Sequence, residues 1–83
     1  MPAELAHRTI QVIAKTQHLS PESITIDQTF AELNFDSLDG MNILFAIENE
    51  FDISIPDEQA VQIKSVREMV EGIEKLVAAK EAA

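Results

Sequence analysis

The chain has 83 residues, of which four are aromatic and none is cysteine, and its formal net charge is −9 at pH 7. This length fits one small, mostly aliphatic core but leaves little room for a substrate cleft with its own catalytic machinery, so we expect a single domain over residues 1–83. Disulfides, thiolate metal sites and thiol nucleophiles are excluded without cysteine, and the acidic excess disfavours nucleic acid as a partner.

The first predicted helix covers residues 3–16, where apolar residues recur at helical spacing without a helix breaker. Ser20 followed by Pro21 is a helix start signal, but the apolar pattern after it is short, so only a brief helical turn is expected. An irregular loop follows. Phe30 and Leu33 are predicted to anchor that loop against the core.

Asp36 predicts the cap of a second helix, and Asp39 in the first turn favours the positive end of the helix dipole. Gly40 weakens this turn by about 1 kcal/mol relative to alanine. The helix carries two apolar stripes, which predicts that it is the central helix of the fold. One stripe is Leu44, Ile47 and Phe51, and the other, offset from it, is Leu38, Met41 and Phe45.

Residues 52–56 are predicted to form an extended loop, since a lone short strand would have no pairing partner. A short third helix is expected from Pro56 to about Val61. Ser65 and Glu68 form a capping-box pattern before the last helix. The apolar stripe of that helix is Val66, Met69, Val70, Ile73 and Val77, and residues 78–83 are predicted to fray. The predicted fold class is all-α, a small four-helix bundle with three longer helices and one short helix.

Catalytic and metal sites find little support in the sequence. A serine nucleophile needs a base within hydrogen-bond reach, and the only candidates, His7 and His18, belong to or flank the first helix and are expected on the surface. Only two glycines, Gly40 and Gly72, are present, so no glycine-rich phosphate loop can form. The spacing around Gly40 does not match a calcium-binding loop. We expect no catalytic residue and no structural metal.

Ser37 lies in the first turn of the second helix, where backbone N–H groups lack intrahelical partners. Those groups and the positive end of the dipole would stabilise a phosphate attached to the serine hydroxyl. The alternative is that Ser37 only shares the capping role with Asp36, because serine and aspartate are common at helix starts. The tripeptide Asp-Ser-Leu by itself favours that alternative.

Residues 29–58, TFAELNFDSLDGMNILFAIENEFDISIPDE, closely resemble the acyl carrier protein family. The shared features are the two loop anchors, the Asp-Ser-Leu-Asp run, the aliphatic helix ending in Glu-Asn-Glu-Phe-Asp, and the Ile-Pro-Asp-Glu that follows. The flanking helices also match in number and length. The resemblance implies that a transferase using coenzyme A esterifies Ser37 with 4'-phosphopantetheine, and that the thiol of this arm carries acyl groups as thioesters.

The resemblance also implies that the acyl chain is sheltered among the helices and that the helix after the serine is presented to partner enzymes. Apolar residues ringed by acids suit transient docking. For Met41 and Phe45, ordinary core packing is an open alternative. The docking residues that the resemblance implies are Asp36, Leu38, Asp39, Met41, Phe45 and Glu48.

The acidic charge is concentrated in residues 16–63, which hold ten acidic side chains and no lysine or arginine. This negative field favours partner proteins with basic docking patches. The expected partners are a phosphopantetheinyl transferase, an acyl- or aminoacyl-loading ligase, and synthase or transferase enzymes. No apolar stretch is long enough to span a bilayer, and the first residues lack a secretion-signal pattern. We predict a cytoplasmic monomer.

Several positions depart from the family pattern. Asn34 stands where many members have glycine, and asparagine is the best substitute if the backbone there needs a positive φ. Phe35 is bulky and lies beside the arm. Asn42 stands where fatty-acid carriers commonly have an acid, and Asn49 thins the acidic run further. These departures favour a specialised carrier over housekeeping fatty-acid synthesis.

The leading hypothesis is a freestanding acyl carrier protein, not an enzyme, that delivers thioester-bound intermediates in fatty-acid, polyketide or related specialised synthesis. Strong acidity and the Ile-Pro-Asp-Glu segment favour this acyl type. An aminoacyl or peptidyl carrier protein is the close alternative, which Phe35 and the missing acids leave open. An acidic helical adaptor that never receives an arm is a third hypothesis from a different class.

Overall fold

The computed structural model describes residues 3–82, which form helices joined by loops. The helices are α1 (Ala3–Gln17), α2 (Ser37–Phe51), α3 (Asp57–Ala60) and α4 (Val66–Ala82), with a 3-10 turn at Pro21–Ser23. This confirms the predicted arrangement of three longer helices and one short helix. No strand forms between residues 3 and 82, and no helix within that range is long and apolar enough to cross a bilayer.

The long loop between α1 and α2 is tied to the loop that precedes α4. Thr29 and Ser65 form an isolated antiparallel bridge. On either side of it, the Phe30 N–H donates to the Lys64 carbonyl at 2.9 Å and the Val66 N–H donates to a loop carbonyl at 3.1 Å. The side chains of Phe30 and Leu33 pack, partly buried, against the core. The predicted anchors are therefore confirmed, and backbone hydrogen bonds fix the loop that leads into α2.

The core lies where α1, α2 and α4 meet, and aliphatic side chains dominate it as the composition requires. In the stripe of Leu44, Ile47 and Phe51, the last two are buried and Leu44 is only partly buried, while Ile43, outside both stripes, is buried. Among residues 3–82, Thr9 is a buried polar residue, and its hydroxyl donates to the Leu5 carbonyl at 2.8 Å. The buried apolar residues are Ile13, Ala14, Ile24, Ile43, Ile47, Phe51, Ile55, Val66, Met69, Val70 and Ile73.

Helix α4 runs to Ala82, and Ala83 lies outside the described residues, so fraying of residues 78–83 stays a prediction. The ammonium of Lys80 donates to the backbone carbonyl and a carboxylate oxygen of Asp52, at 3.0 and 2.9 Å. This hydrogen bond and the positive charge hold the pKa of Asp52 below its usual value. The contact joins the last turns of α4 to the C-cap of α2, which gives the tail a partner.

Only one of the two hydrogen bonds of the predicted capping box forms at the start of α4. The Ser65 hydroxyl accepts from the Glu68 N–H at 3.1 Å, as in a capping box. The Glu68 carboxylate accepts from the Lys64 N–H at 3.1 Å and from the Ser65 hydroxyl at 3.2 Å. The reciprocal bond therefore reaches one residue further back than the capping-box pattern predicts.

Candidate functional site

Ser37 is the first residue of α2, and its side chain is exposed. A complete capping box closes this turn without it: an Asp36 carboxylate oxygen accepts from the Asp39 N–H at 2.8 Å, and Asp39 accepts from the Asp36 N–H at 3.1 Å. Within residues 3–82, no side-chain hydrogen bond involves the Ser37 hydroxyl. Ser37 therefore does not share the cap with Asp36, and its hydroxyl is accessible for attachment.

The electrostatic setting of Ser37 suits a phosphodiester. The N–H of Asp39 is bound to the Asp36 side chain, and the N–H of Gly40 donates to the Asp36 carbonyl at 3.0 Å. The other two N–H groups of the first turn, those of Ser37 and Leu38, have no intrahelical partner. Together with the helix dipole they favour a negatively charged phosphate at the serine oxygen. The residues present therefore fit a phosphate-linked prosthetic arm.

Neither histidine of the chain is bonded to Ser37 in the described residues. His7 and His18 are both exposed, as predicted, and neither accepts a hydrogen bond from the serine. No group of three or more histidine, aspartate or glutamate side chains in the described part of the chain could hold a metal ion. No hydrogen bond within residues 3–82 joins Ser37 to a base of this chain, which a serine in a catalytic triad would need.

Asn34 sets the turn that leads into the site. Its φ is 62°, in the left-handed region. The glycine that many family members have at this position predicts such a positive φ. The following Phe35 N–H donates to the Phe30 carbonyl at 3.0 Å, and the two rings stack with centroids 6.1 Å apart. Phe35 is thus partly buried on Phe30, next to the start of α2.

We expect Asn34→Gly to change the free energy of unfolding by less than about 1 kcal/mol, because both residues tolerate a positive φ. Asn34→Val should destabilise the fold by about 1–2 kcal/mol, since a β-branched residue is strained there. Urea unfolding measures both changes. Asn42→Val, on the exposed face of α2, is the control, because valine and asparagine have similar helix propensity. Equal losses at positions 34 and 42 would contradict the strain argument.

One apolar stripe of α2 faces solvent. Leu38, Met41 and Phe45 are 65%, 51% and 60% exposed, so core packing, the alternative for Met41 and Phe45, is wrong. Their spacing places them on one side of the helix, beginning next to Ser37. Val61, after α3, is another exposed apolar side chain, and the sequence pattern gave no signal for it.

The acidic residues predicted for docking have structural contacts as well. Asp36 and Asp39 form the capping box, with Asp36 exposed and Asp39 partly buried. A Glu48 carboxylate oxygen accepts from the Ile55 N–H at 2.8 Å, which closes the loop between α2 and α3. The helix pattern could not predict this contact, because the loop backbone that Glu48 meets has no local signature. Replacing these acids therefore affects local structure as well as charge.

Comparisons with known proteins match this arrangement. Residues 5–73 match the family described as phosphopantetheine attachment site. The chain is 42% identical over 77 residues to the mitochondrial acyl carrier protein of Dictyostelium discoideum, covering 93% of this chain and 64% of that protein. It is 36% identical over 78 residues to the acyl carrier protein of Thermosynechococcus vestitus, covering 93% and 96%. The crystal structure of an acyl carrier protein from Thermotoga maritima has a TM-score of 0.81 at 25% identity, covering 92% of this chain and 89% of that chain.

The family match runs from α1 into α4 and contains the Ser37 turn. A covalently attached 4'-phosphopantetheine is accordingly the cofactor, and the protein is a carrier and not an enzyme. Membership of such a family implies interaction with a phosphopantetheinyl transferase and with synthases. The family match, the similar sequences and the similar fold all indicate the same family. The chain belongs to the acyl carrier protein family.

Proposed function

We propose that Ser37 is the residue that carries the arm, and that the protein acts as a freestanding acyl carrier in fatty-acid, polyketide or related specialised synthesis. The observation that supports this most directly is the exposed Ser37 hydroxyl, unbonded within residues 3–82, at the start of a helix whose cap its neighbours provide. The serine can be modified without loss of any contact that holds α2 in place.

The attachment is a group transfer from coenzyme A. The Ser37 oxygen attacks the phosphorus next to the pantetheine, the phosphoanhydride bond breaks, and the adenosine bisphosphate half leaves. The proton of the hydroxyl passes to a base of the transferase, since no hydrogen bond within residues 3–82 joins the serine to a base of this chain. The N-terminal end of α2 then faces the new phosphodiester, whose charge it stabilises.

Intact mass spectrometry of the protein after incubation with coenzyme A and a broad-specificity phosphopantetheinyl transferase tests this proposal. We expect a gain of one phosphopantetheinyl group, and fragmentation that locates it on Ser37. No mass gain, or a gain located on another residue, would contradict it.

The class of cargo is the next question for the proposed function. We favour acyl cargo, supported by the acidic middle of the chain and by relatives named acyl carrier proteins. Phe35 beside the arm and the neutral Asn42 on α2 support the aminoacyl or peptidyl alternative. Loading by acyl and aminoacyl ligases ranks the two classes, and preferential aminoacylation would overturn the acyl assignment. A chain that is never modified would instead act as the acidic adaptor.

Monomeric state and compartment are further parts of the proposal. We propose a monomer in the cytoplasm, although the Dictyostelium relative is named mitochondrial. Size-exclusion chromatography with light scattering and cell fractionation test the two points separately. A dimer, or recovery with an organelle, would contradict them.

The docking surface we propose comprises the exposed apolar stripe of α2 and the acids around it, and it binds enzymes with basic patches. Exposed apolar residues bordered by like charges favour brief, charge-steered encounters. The stripe starts one residue after the proposed tether, so an enzyme seated there would receive the arm. The residues are Asp36, Leu38, Asp39, Met41, Phe45 and Glu48.

We expect Asp39→Asn and Glu48→Gln each to slow transferase modification by about threefold at low salt, with a smaller effect at high salt. These changes remove the charge but keep an oxygen that can accept from Asp36 or Ile55. Initial rates over a salt series measure the effect. Glu71→Gln, an exposed acid on α4, is the control and should leave the rate unchanged. Equal slowing by the control, or no salt dependence, would leave the α2 surface without a docking role.

A further inference from the structure

An open groove runs between α1 and α4. Its volume is about 350 Å³, and its lining residues lie on these two helices, with none on α2. Leu5 and Val77 line it and are only partly buried, although both pack against the core. Ala78 adds a small, exposed side chain to the α4 wall. The two helices therefore leave apolar surface uncovered along this groove.

The groove carries an excess of negative charge. Three carboxylates line it, those of Glu4, Glu74 and Glu81. Arg8 also lines it, but its guanidinium is bonded to the Glu50 carboxylate of α2 at 3.0 Å. Within residues 3–82, no salt bridge joins any of the three carboxylates to a cation. Uncompensated negative charge thus borders the apolar surface.

Glu74 differs from the other two acids, because its side chain is partly buried while those of Glu4 and Glu81 are exposed. Its Oε2 atom is buried and has no hydrogen-bond partner among residues 3–82. A buried polar atom without a partner is costly, and a partly desolvated carboxylate attracts a cation more strongly than a hydrated one. An ammonium or guanidinium group at Glu74 would offset this cost.

The spacing along α4 indicates what shape of ligand fits. Glu74 and Glu81 are seven residues apart, on the same face of the helix and about 10 Å apart along its axis. Val77 and Ala78 lie between them on that face. Two cations at a similar separation, with apolar side chains between them, match this order. A basic amphipathic helix has this pattern when lysine or arginine recurs every seven residues.

We propose that the groove between α1 and α4 is a second docking surface, which binds a basic amphipathic helix of a partner protein. Apolar side chains of that helix contact Leu5 and Val77, and its cations pair with Glu74 and Glu81. Because the groove has no lining residue on α2, a partner held there leaves the exposed stripe of α2 uncovered. The protein can then stay bound to one partner while enzymes act on its arm, a consequence that rests on the attachment proposed for Ser37.

NMR titration of the isotope-labelled protein with a synthetic peptide tests this proposal. The probe is a helical peptide of about 20 residues made of alanine, leucine and lysine, with a lysine every seven residues beside a leucine stripe. We expect amide shifts that follow α1 and α4 along the groove. The same peptide with glutamate in place of lysine should bind at least about tenfold more weakly, because like charges then meet.

Ala78→Lys should weaken binding of the lysine peptide by at least about tenfold, because it places a like charge and a long side chain in the groove. Ala79→Lys is the matched control, since Ala79 is also exposed on α4 but does not line the groove. It adds the same charge and should keep most of the affinity. Glu74→Gln should weaken binding by about threefold, whereas Glu71→Gln, an exposed acid outside the groove, should not.

Equal weakening by the two lysine variants, shifts confined to α2, or no binding of the lysine peptide would overturn the proposal. Transferase modification of Ser37 is measured separately, and its rate should be the same in Ala78→Lys and Ala79→Lys. Slower modification in Ala78→Lys alone would show that the groove belongs to the α2 docking surface and is not a second one. Failure to attach an arm to the unsubstituted protein would instead contradict the function proposed for Ser37.

Discussion

Ser37→Ala is expected to abolish phosphopantetheinylation completely, with no mass gain under conditions that convert the unsubstituted chain. The reason is chemical, since alanine has no oxygen to attack the phosphorus of coenzyme A. The fold should be unaffected, because no side-chain hydrogen bond within residues 3–82 uses the serine hydroxyl. Alanine also favours the helix by up to about 0.7 kcal/mol, so the thermal midpoint should be equal or slightly higher.

A second serine separates loss of the attachment point from a general effect of removing a hydroxyl. Ser54 is exposed in the loop between α2 and α3, and Ser54→Ala should be modified at the normal rate. Both variants are compared by intact mass and by circular dichroism. A mass gain retained in Ser37→Ala, or lost in Ser54→Ala, would exclude Ser37 as the single attachment residue.

The sequence predicted the parts of the site that follow local rules. Asp36 and Asp39 stand three residues apart at a helix start, and this spacing alone places a cap there. Asn34 was expected to tolerate a positive φ, and its φ of 62° confirms this. Both features depend on backbone geometry within a few residues, which is the range that sequence patterns describe well.

Contacts between distant segments could not be predicted in this way. The Lys80 ammonium contacts the Asp52 carboxylate, 28 residues earlier in the chain. Glu48 bonds the Ile55 backbone across the turn after α2. An apolar cavity of about 70 Å³, lined by residues of the loop before α2 and of α2, α3 and α4, likewise depends on segments far apart in the chain. Such features require the packed structure, because no single segment contains their signal.

Helix α2 has a buried face and an exposed face. The apolar pattern of the sequence separates them into two stripes but does not show which stripe is buried. The inner face holds the buried Ile47 and Phe51. The outer face presents Phe45 and Met41 to solvent. An exposed face of this kind stabilises the fold little, and the docking role proposed for it accounts for its apolar character. The two faces therefore predict opposite effects for substitutions that lie close together in sequence.

Ile47→Ala should lower the free energy of unfolding by about 2–5 kcal/mol, since Ile47 is fully buried between the helices. Small domains have total stabilities of roughly 5–15 kcal/mol, so this single change removes a large part of the stability. Urea or thermal unfolding measures it. Phe45→Ala, two residues earlier, should lower stability by no more than about 0.5 kcal/mol because the ring is 60% exposed.

For the transferase reaction we expect the opposite order, with the larger effect for Phe45→Ala and the smaller one for Ile47→Ala. Phe45→Ala should raise the KM of the transferase for this protein by about fivefold to tenfold, as expected for loss of an aromatic side chain from an interface. Ile47→Ala, measured at a temperature where it is folded, should leave KM nearly unchanged because no partner can reach the side chain. A large stability loss for Phe45→Ala, or a KM change confined to Ile47→Ala, would mean that the two faces of α2 have the opposite roles.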